Sequence, residues 1–286
     1  MIVVETRGEL RERVAALRAA GKRIAFVPTM GNLHAGHLRL IREARAIADA
    51  VVASIFVNPM QFGQDEDFGG YPRTLTEDQA ALAAAHVDLL FNPSVETVYP
   101  RGLAAQTIVE VPGLSDILCG ASRPGHFRGV TTVVNRLFNL VAPDVALFGK
   151  KDYQQLLIIR LMVADLAMPV EIVGVETVRE ADGLAMSSRN AYLSREQRRL
   201  APTFYATLCG LRDQMVLARR ILPGAADEAV QALAGAGFRP DYLSIRRRAE
   251  LQEAGPDDRK LVILAAAHLG AARLIDNIEL DLNPGG

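Results

Sequence analysis

The chain has few cysteines, little net charge and no long apolar run. Among its 286 residues are two cysteines, Cys119 and Cys209, in no CxxC pattern. That argues against a disulfide framework and fits a reduced, cytoplasmic compartment. The formal net charge is −1, so no bulk field points to nucleic acid or an anionic membrane. Half of the residues are apolar, yet no uninterrupted stretch approaches the ~20 needed to span a bilayer. Met1 to Gly21 is charged and amphipathic, with no signal-peptide core. There is no repeat, no low-complexity tract and no Ser–His–Asp or Cys–His arrangement for a protein nucleophile.

The length suits one large or two smaller domains with a sizeable core. Apolar runs at 23–27, 51–57, 88–91, 145–148 and 170–175 read as strands. Helical patterns at 38–48, 75–85, 131–141 and 153–166 lie between them. Such alternation predicts a Rossmann-like, doubly wound parallel sheet with helices on both faces. The pattern changes near 176–194. One long helix over 194–220, another over 227–236 and strands at 241–246, 261–266 and 273–278 follow. The tight spacing around Leu269-Gly270 suggests antiparallel pairing. The expected division is a Rossmann-like domain over 1–178 and a smaller α+β lid over 179–286, unless the linker is an internal loop of one domain.

The residues able to carry chemistry follow the strands. The first is Pro28-Thr29-Met30-Gly31-Asn32-Leu33-His34-Ala35-Gly36-His37, between a strand and a helix. Unpaired backbone N–H groups and the helix dipole suit a phosphate there. His34 and His37 share a face if the helix begins at or just before His34. Gly31 and Gly36 remove side chains where a nucleotide would approach. Two readings stand: a nucleotide site with two imidazoles aimed at a triphosphate, or a turn with two ordinary surface histidines. Zinc is disfavoured, because the spacing is three, Ala35 and Gly36 intervene, and no Cys–His cluster adds ligands.

Asn58-Pro59-Met60-Gln61-Phe62 is a polar turn or a hydrogen-bonding site. In Gly149-Lys150-Lys151-Asp152-Tyr153-Gln154-Gln155, Asp152 is a candidate cap and the lysines suit a phosphate; a charged helix start is the plainer reading. Ser187, Ser188 and Arg189 sit in a loop suited to anions, and 123–128 forms a basic, glycine-containing turn. Together these segments gather at one sheet edge and support a nucleotide-using α/β enzyme, and nothing finer.

In order, PTMGNLHAGH, FVNPMQFG, YPRT, GASRPGHFRGV, FGKKDYQQL and MSSRN resemble the pantothenate synthetase family. That family lies in the nucleotidyltransferase superfamily, which shares its His-x-Gly-His motif with class I aminoacyl-tRNA synthetases. The matches are dense over residues 24–193, and only the domain layout fits beyond. The resemblance implies ATP-dependent condensation of (R)-pantoate with β-alanine, through a pantoyl adenylate, to pantothenate, AMP and pyrophosphate. It implies an ATP site lined by Met30, Gly31, Asn32, Leu33, His34, Ala35, Gly36 and His37. Gly149, Lys150, Lys151 and Asp152 would hold the nucleotide, Val178 would touch adenine, and Met186, Ser187, Ser188 and Arg189 would close over the phosphates. His37, His34 and Lys151 are the expected catalytic residues. Gln61 and Gln155 would bind pantoate, with Gln61 and Asn58 near β-alanine. Mg²⁺ would be held mainly by phosphates, with Asp78 or Glu77 nearby and no protein ligand assigned.

The family also implies a homodimer, for which the apolar N-terminal sheet offers a surface, and no nucleic-acid or membrane partner. Two departures stand out: Cys119 and Lys150 lie where many members carry Glu. A nucleotidyltransferase releasing an adenylated small molecule is the alternative. A non-catalytic nucleotide-binding module would be favoured by loss of His37 or Lys151, and both are present. RNA aminoacylation is disfavoured by the charge and by the lack of an anticodon-binding extension.

Overall fold

Alternating apolar runs and helical stripes build a layered sheet whose inner strands are buried on both faces. The computed structural model describes residues 1–63 and 68–283. Strands β1 (Ile2–Val4), β2 (Ile24–Thr29), β3 (Ala50–Ile55), β4 (Leu89–Phe91), β5 (Val145–Gly149) and β6 (Glu171–Val175) form one sheet in the order β1-β4-β3-β2-β5-β6. Every pairing in it is parallel. Helices α1 (Arg7–Ala19), α2 (Ala35–Ile47), α3 (Leu75–Ala84), α4 (Val95–Val98), α5 (Cys119–Ser122), α6 (His126–Val141) and α7 (Tyr153–Asp165) connect or flank the strands.

Side chains alternate across the sheet. Ala25, Val27, Val51, Ala53, Leu90, Val145 and Leu147 pack under Leu40, Ile41 and Ala44 of α2 and Leu82 of α3. Phe26 and Phe148 face the other way, where Phe138 of α6 meets each ring edge-on at 6.3 Å. The chain steps from β2 to β3 and β4 on one side, then to β5 and β6 on the other. The crevice beyond the carboxyl ends of β2 and β5 is therefore the topological switch point, where such sheets bind ligands.

Contacts divide the chain into two compact units, Met1–Lys150 with Gln155–Glu176, and Lys151–Gln154 with Thr177–Gly286. The second unit holds α8 (Arg195–Leu200), α9 (Pro202–Ala218), α10 (Ala225–Gly235) and the antiparallel strands β7 (Arg239–Arg247), β8 (Lys260–Leu269) and β9 (Ala272–Asp281), in that order. Phe204, Leu208, Leu211 and Met215 of α9 and Ala225, Ala229 and Leu233 of α10 bury one face of β8 and β9. Among the described residues no helix is long and apolar enough to cross a membrane.

Among the elements that differ from the sequence-based expectation, four have a readable cause. The expected helix over 194–220 is two helices, because Pro202 has no N–H to continue α8 and instead starts α9. α2 begins at Ala35, ahead of Leu38. α6 begins at His126, ahead of Thr131, because Gly125 turns the chain into it at φ +81°. β1 is three residues long and is recruited by pairing with Leu89–Phe91, a long-range event with no local pattern.

Gly129 sets the spacing between α6 and the 3-10 turn Pro59–Gln61. A Cβ there would lie 2.3 Å from the Met60 carbonyl oxygen. Gly129→Ala should therefore lose ~1–3 kcal/mol in urea unfolding through overpacking. Gly210, on α9 with open space around its Cβ position, should gain up to ~1 kcal/mol as Ala. A Gly129→Ala midpoint at or above wild type would contradict this packing.

Candidate active site

The loop after β2 turns through two left-handed residues, Gly31 (φ +80°) and Asn32 (φ +51°). This geometry aims its backbone donors inward. Gly31 N–H donates to Thr29 Oγ1 at 3.2 Å. Asn32 and Leu33 N–H donate to the two carboxylate oxygens of Asp78, each at 2.8 Å. Asp78 is 3% exposed, and in that setting its charge stands on two charge-assisted bonds. Expected beside Mg²⁺, Asp78 is the clamp of the loop.

The start of α2 is closed by the two histidines. His34 is the N-cap, and its Nδ1 accepts from Gly36 N–H at 3.1 Å. His37 Nδ1 accepts from His34 N–H at 3.2 Å. The ring centroids are 4.1 Å apart. A neutral ring that accepts at Nδ1 carries its proton on Nε2, so both imidazoles are held as Nε2–H donors. Of the first-turn backbone N–H groups expected to meet the ligand, those of Gly36 and His37 are used inside the chain. Gly36 is dictated by the same packing, because a Cβ there would lie 2.8 Å from His34 Cε1.

Beyond β3, Gln61 Nε2 donates to Met30 Sδ at 3.0 Å, and Gln61 Oε1 accepts from Asn58 Nδ2 at 3.3 Å. Asn58 is 1% exposed. It also donates to the Gly129 carbonyl and accepts from Met60 N–H and the Tyr99 hydroxyl. With two donors and two acceptor positions occupied, it braces Gln61 rather than presenting a polar group of its own. Burial pushes the Tyr99 phenol far up, against the opposing cation of Arg136 over its ring, so it stays a donor. His126 has the other tautomer: Nδ1–H donates to the Gln61 carbonyl at 2.8 Å, and Arg123 lies 3.0 Å from Nε2. Gln155 lies in the first turn of α7 and is half-buried.

The two adjacent lysines differ. Lys150 pairs with Glu176, which accommodates a cation at that position. In the second unit, the Lys151 ammonium has no partner among the described residues, and neither does the Arg189 guanidinium. Arg189 follows Ser187, whose hydroxyl accepts the Arg189 N–H at 3.3 Å. Val178 and Met186 are joined by a backbone bond of 3.0 Å in one hairpin. Gly149 closes β5, Asp152 ends the 3-10 turn Lys150–Asp152, and Ser188 begins another, Ser188–Tyr192. Cys119 begins α5 and is buried. The first unit thus gathers 30–37, Asn58, Gln61, Asp78 and His126, and the second gathers Lys151 and Ser187 around one small cavity. Among the described residues no group of three or more His, Cys, Asp or Glu side chains is placed to hold a metal.

Sequence patterns had no signal for Tyr99 or for the Asp78 clamp, whose bonds span 41, 45 and 46 residues.

Comparison with known proteins finds relatives that span nearly the whole chain. Residues 2–279 match the family model described as pantoate-beta-alanine ligase. A pantothenate synthetase of Shewanella amazonensis is 62% identical over 270 residues, covering 94% of this chain and 96% of the relative. The crystal structure of a pantothenate synthetase from Thermus thermophilus superposes with a TM-score of 0.91 at 49% identity, covering 99% of this chain and 100% of that one. A pantoate-beta-alanine ligase from Francisella tularensis, complexed with beta-gamma ATP and beta-alanine, superposes with a TM-score of 0.82 at 33% identity, covering 98% and 97%.

The Asp78 clamp is testable without substrate. Asp78→Ala orphans the Asn32 and Leu33 N–H groups, which should cost ~1–3 kcal/mol locally. Hydrogen exchange at those two amides should accelerate by roughly 10- to 100-fold on that scale. Unchanged exchange would show that the loop is held by something else.

Proposed function

The chain belongs to the pantoate-beta-alanine ligase family, and from that premise we propose that it joins (R)-pantoate to β-alanine at the expense of ATP. The products are pantothenate, AMP and pyrophosphate. The observation that carries the chemistry is the tautomer imposed on His34 and His37, which makes each ring an Nε2–H donor at the switch point.

A carboxylate is a poor electrophile. In the first step a pantoate carboxylate oxygen attacks the α-phosphorus of ATP, and pyrophosphate leaves. Negative charge grows on the phosphoryl oxygens, where preorganised donors are worth most. His37, with His34, supplies neutral donors there, and Lys151 supplies a charge with no partner among the described residues. Gln61 and Gln155 hold pantoate, Gln61 being oriented by Asn58, which reaches β-alanine only through it. Val178 lies against adenine, and Met186 to Arg189 close over the phosphates. In the second step the amine of β-alanine attacks the acyl carbon and AMP departs. No protein nucleophile is needed, so positioning and exclusion of water supply much of the rate. Mg²⁺ is read as entering on the phosphates of ATP, where it would neutralise charge on the leaving group. The donor set fits that reading, because both Asp78 oxygens are on backbone N–H groups.

We also place the protein in the cytoplasm, consistent with two cysteines outside any disulfide, and assign it a homodimer through the first unit. The central strands offer no surface for it, since Ile24–Val27 and Ala50–Ala53 are fully buried by the chain itself, whereas Ile2 and Val3 of the edge strand β1 are exposed. Leu103 and Ile108, in the irregular stretch before α5, are exposed as well. Sedimentation should show the dimer at micromolar concentration.

If the adenylate forms first, pantoate alone should support exchange of labelled pyrophosphate into ATP. His37→Ala should slow that exchange ~10²–10³-fold, the usual cost of one transition-state donor, while pantoate affinity changes far less. Exchange that strictly requires β-alanine would replace this order with a concerted one. Arg189→Ala should slow turnover and let water take part of the adenylate, so that AMP exceeds pantothenate. A wild-type ratio would remove the closing role of the hairpin.

A further inference from the structure

We infer that Asp276 and Asn277 are positioning residues for adenylation, holding the Lys151 segment and the Ser187–Arg189 hairpin from opposite faces of β9. The inference rests on the reading of Lys151 given above and goes beyond it.

Successive residues of a strand point to opposite faces. Asp276 lies on the core side of β9, in line with Leu274, Ile278 and Leu280, and is 3% exposed. A carboxylate in that position must be paired. Arg179 pairs with it in bidentate fashion at 2.5 and 2.9 Å. Burial alone would lower the Arg179 guanidinium, and the bonds to Asp276 override it and hold it high. Arg179 also lies 3.4 Å over the Tyr205 ring and donates to the Gly183 carbonyl. Its backbone bridges to Ala185, one residue before Met186. The hairpin that carries Ser187, Ser188 and Arg189 therefore hangs on Asp276.

Asn277 faces the other way. Its Nδ2 donates to the Lys151 carbonyl at 2.9 Å, and Glu279, two residues along the same face, accepts from the Tyr153 hydroxyl at 2.8 Å. The backbone from which the Lys151 side chain emerges is fixed there. Asn277 N–H donates to Asp276 Oδ1 at 2.8 Å, which links the two holds. Their products meet at a cavity of about 10 Å³ lined by Lys151, Ser187, Asn190 and Asp276. Asn190 Oδ1 is buried there with no partner among the described residues.

The test is a double-mutant cycle of Asn277→Ala and Lys151→Ala. It is read by pantoate-dependent pyrophosphate exchange, with melting curves to score folding. Asn277→Ala should slow exchange on the order of tenfold, or about 1.4 kcal/mol. The pantoate KM should stay within about twofold, because a positioning loss is confined to the phosphate side. In the Lys151→Ala background the further loss should be under about twofold, since coupled residues are not additive. Asn277→Asp keeps the size and sets an acceptor against the Lys151 carbonyl. It should be slower than Asn277→Ala, and it serves in the cycle if the alanine variant does not fold. The same loss in both backgrounds, or no loss in either, overturns the inference alone. Full exchange by Lys151→Ala overturns the role of Lys151 and the inference with it.

Discussion

The Asp78 carboxylate holds the loop between β2 and α2, on which the placement of the two histidines depends. By accepting from Asn32 and Leu33 it turns the backbone donors of the loop after β2 toward the protein. His34 and His37 then cap α2 through Nδ1. In the proposed reaction two Nε2–H donors thereby stand in for the Gly36 and His37 backbone groups at a helix start suited to anions. Gly31 follows from the same clamp, since a Cβ at that position would sit 3.0 Å from Asp78 Oδ2. The charge of Asp78 is buried and cannot be traded for bulk without orphaning two donors.

Charge is handled differently in the second unit. Asp182 pairs with Arg198 and Asp276 with Arg179, while Lys151 and Arg189 have no such partner among the described residues. Lys150 is compensated by Glu176 in the first unit. Uncompensated cations in a chain of net charge −1 are suited to a ligand that brings its own negative charge. In the proposed reaction that ligand is a triphosphate, and the charge growing on departing pyrophosphate is what they meet.

Much of this was legible in the sequence because it is local. Five of the six parallel strands carry dense apolar runs, and each motif is contiguous. The Leu269-Gly270 hairpin also appeared as expected, with Leu269 opposite Ala272. What was not legible is long-range or geometric. Asp78 reads as an ordinary acid in the first turn of a helix, and only folding brings it 46 residues back to Asn32. Asn58 looks like a ligand-facing amide, yet Tyr99 and Gly129 occupy it. β1 has three residues and no pattern of its own. The break at Pro202 was readable, since proline inside a helical stretch ends it; the long apolar periodicity on either side masked it. The hold of Asn277 on Lys151 spans 126 residues and leaves no trace in spacing.

The central claim is the orientation of the two imidazoles, and nitrogen-15 NMR of histidine-labelled protein tests it most directly. With both rings neutral, His34 and His37 should each show an unprotonated Nδ1 and a protonated Nε2, and a non-hydrolysable ATP analogue should shift the Nε2 resonances. His126, which donates through Nδ1, should show the opposite tautomer and serves as the internal control. An Nδ1–H form at His34 or His37, or Nε2 signals indifferent to the nucleotide, would contradict the account.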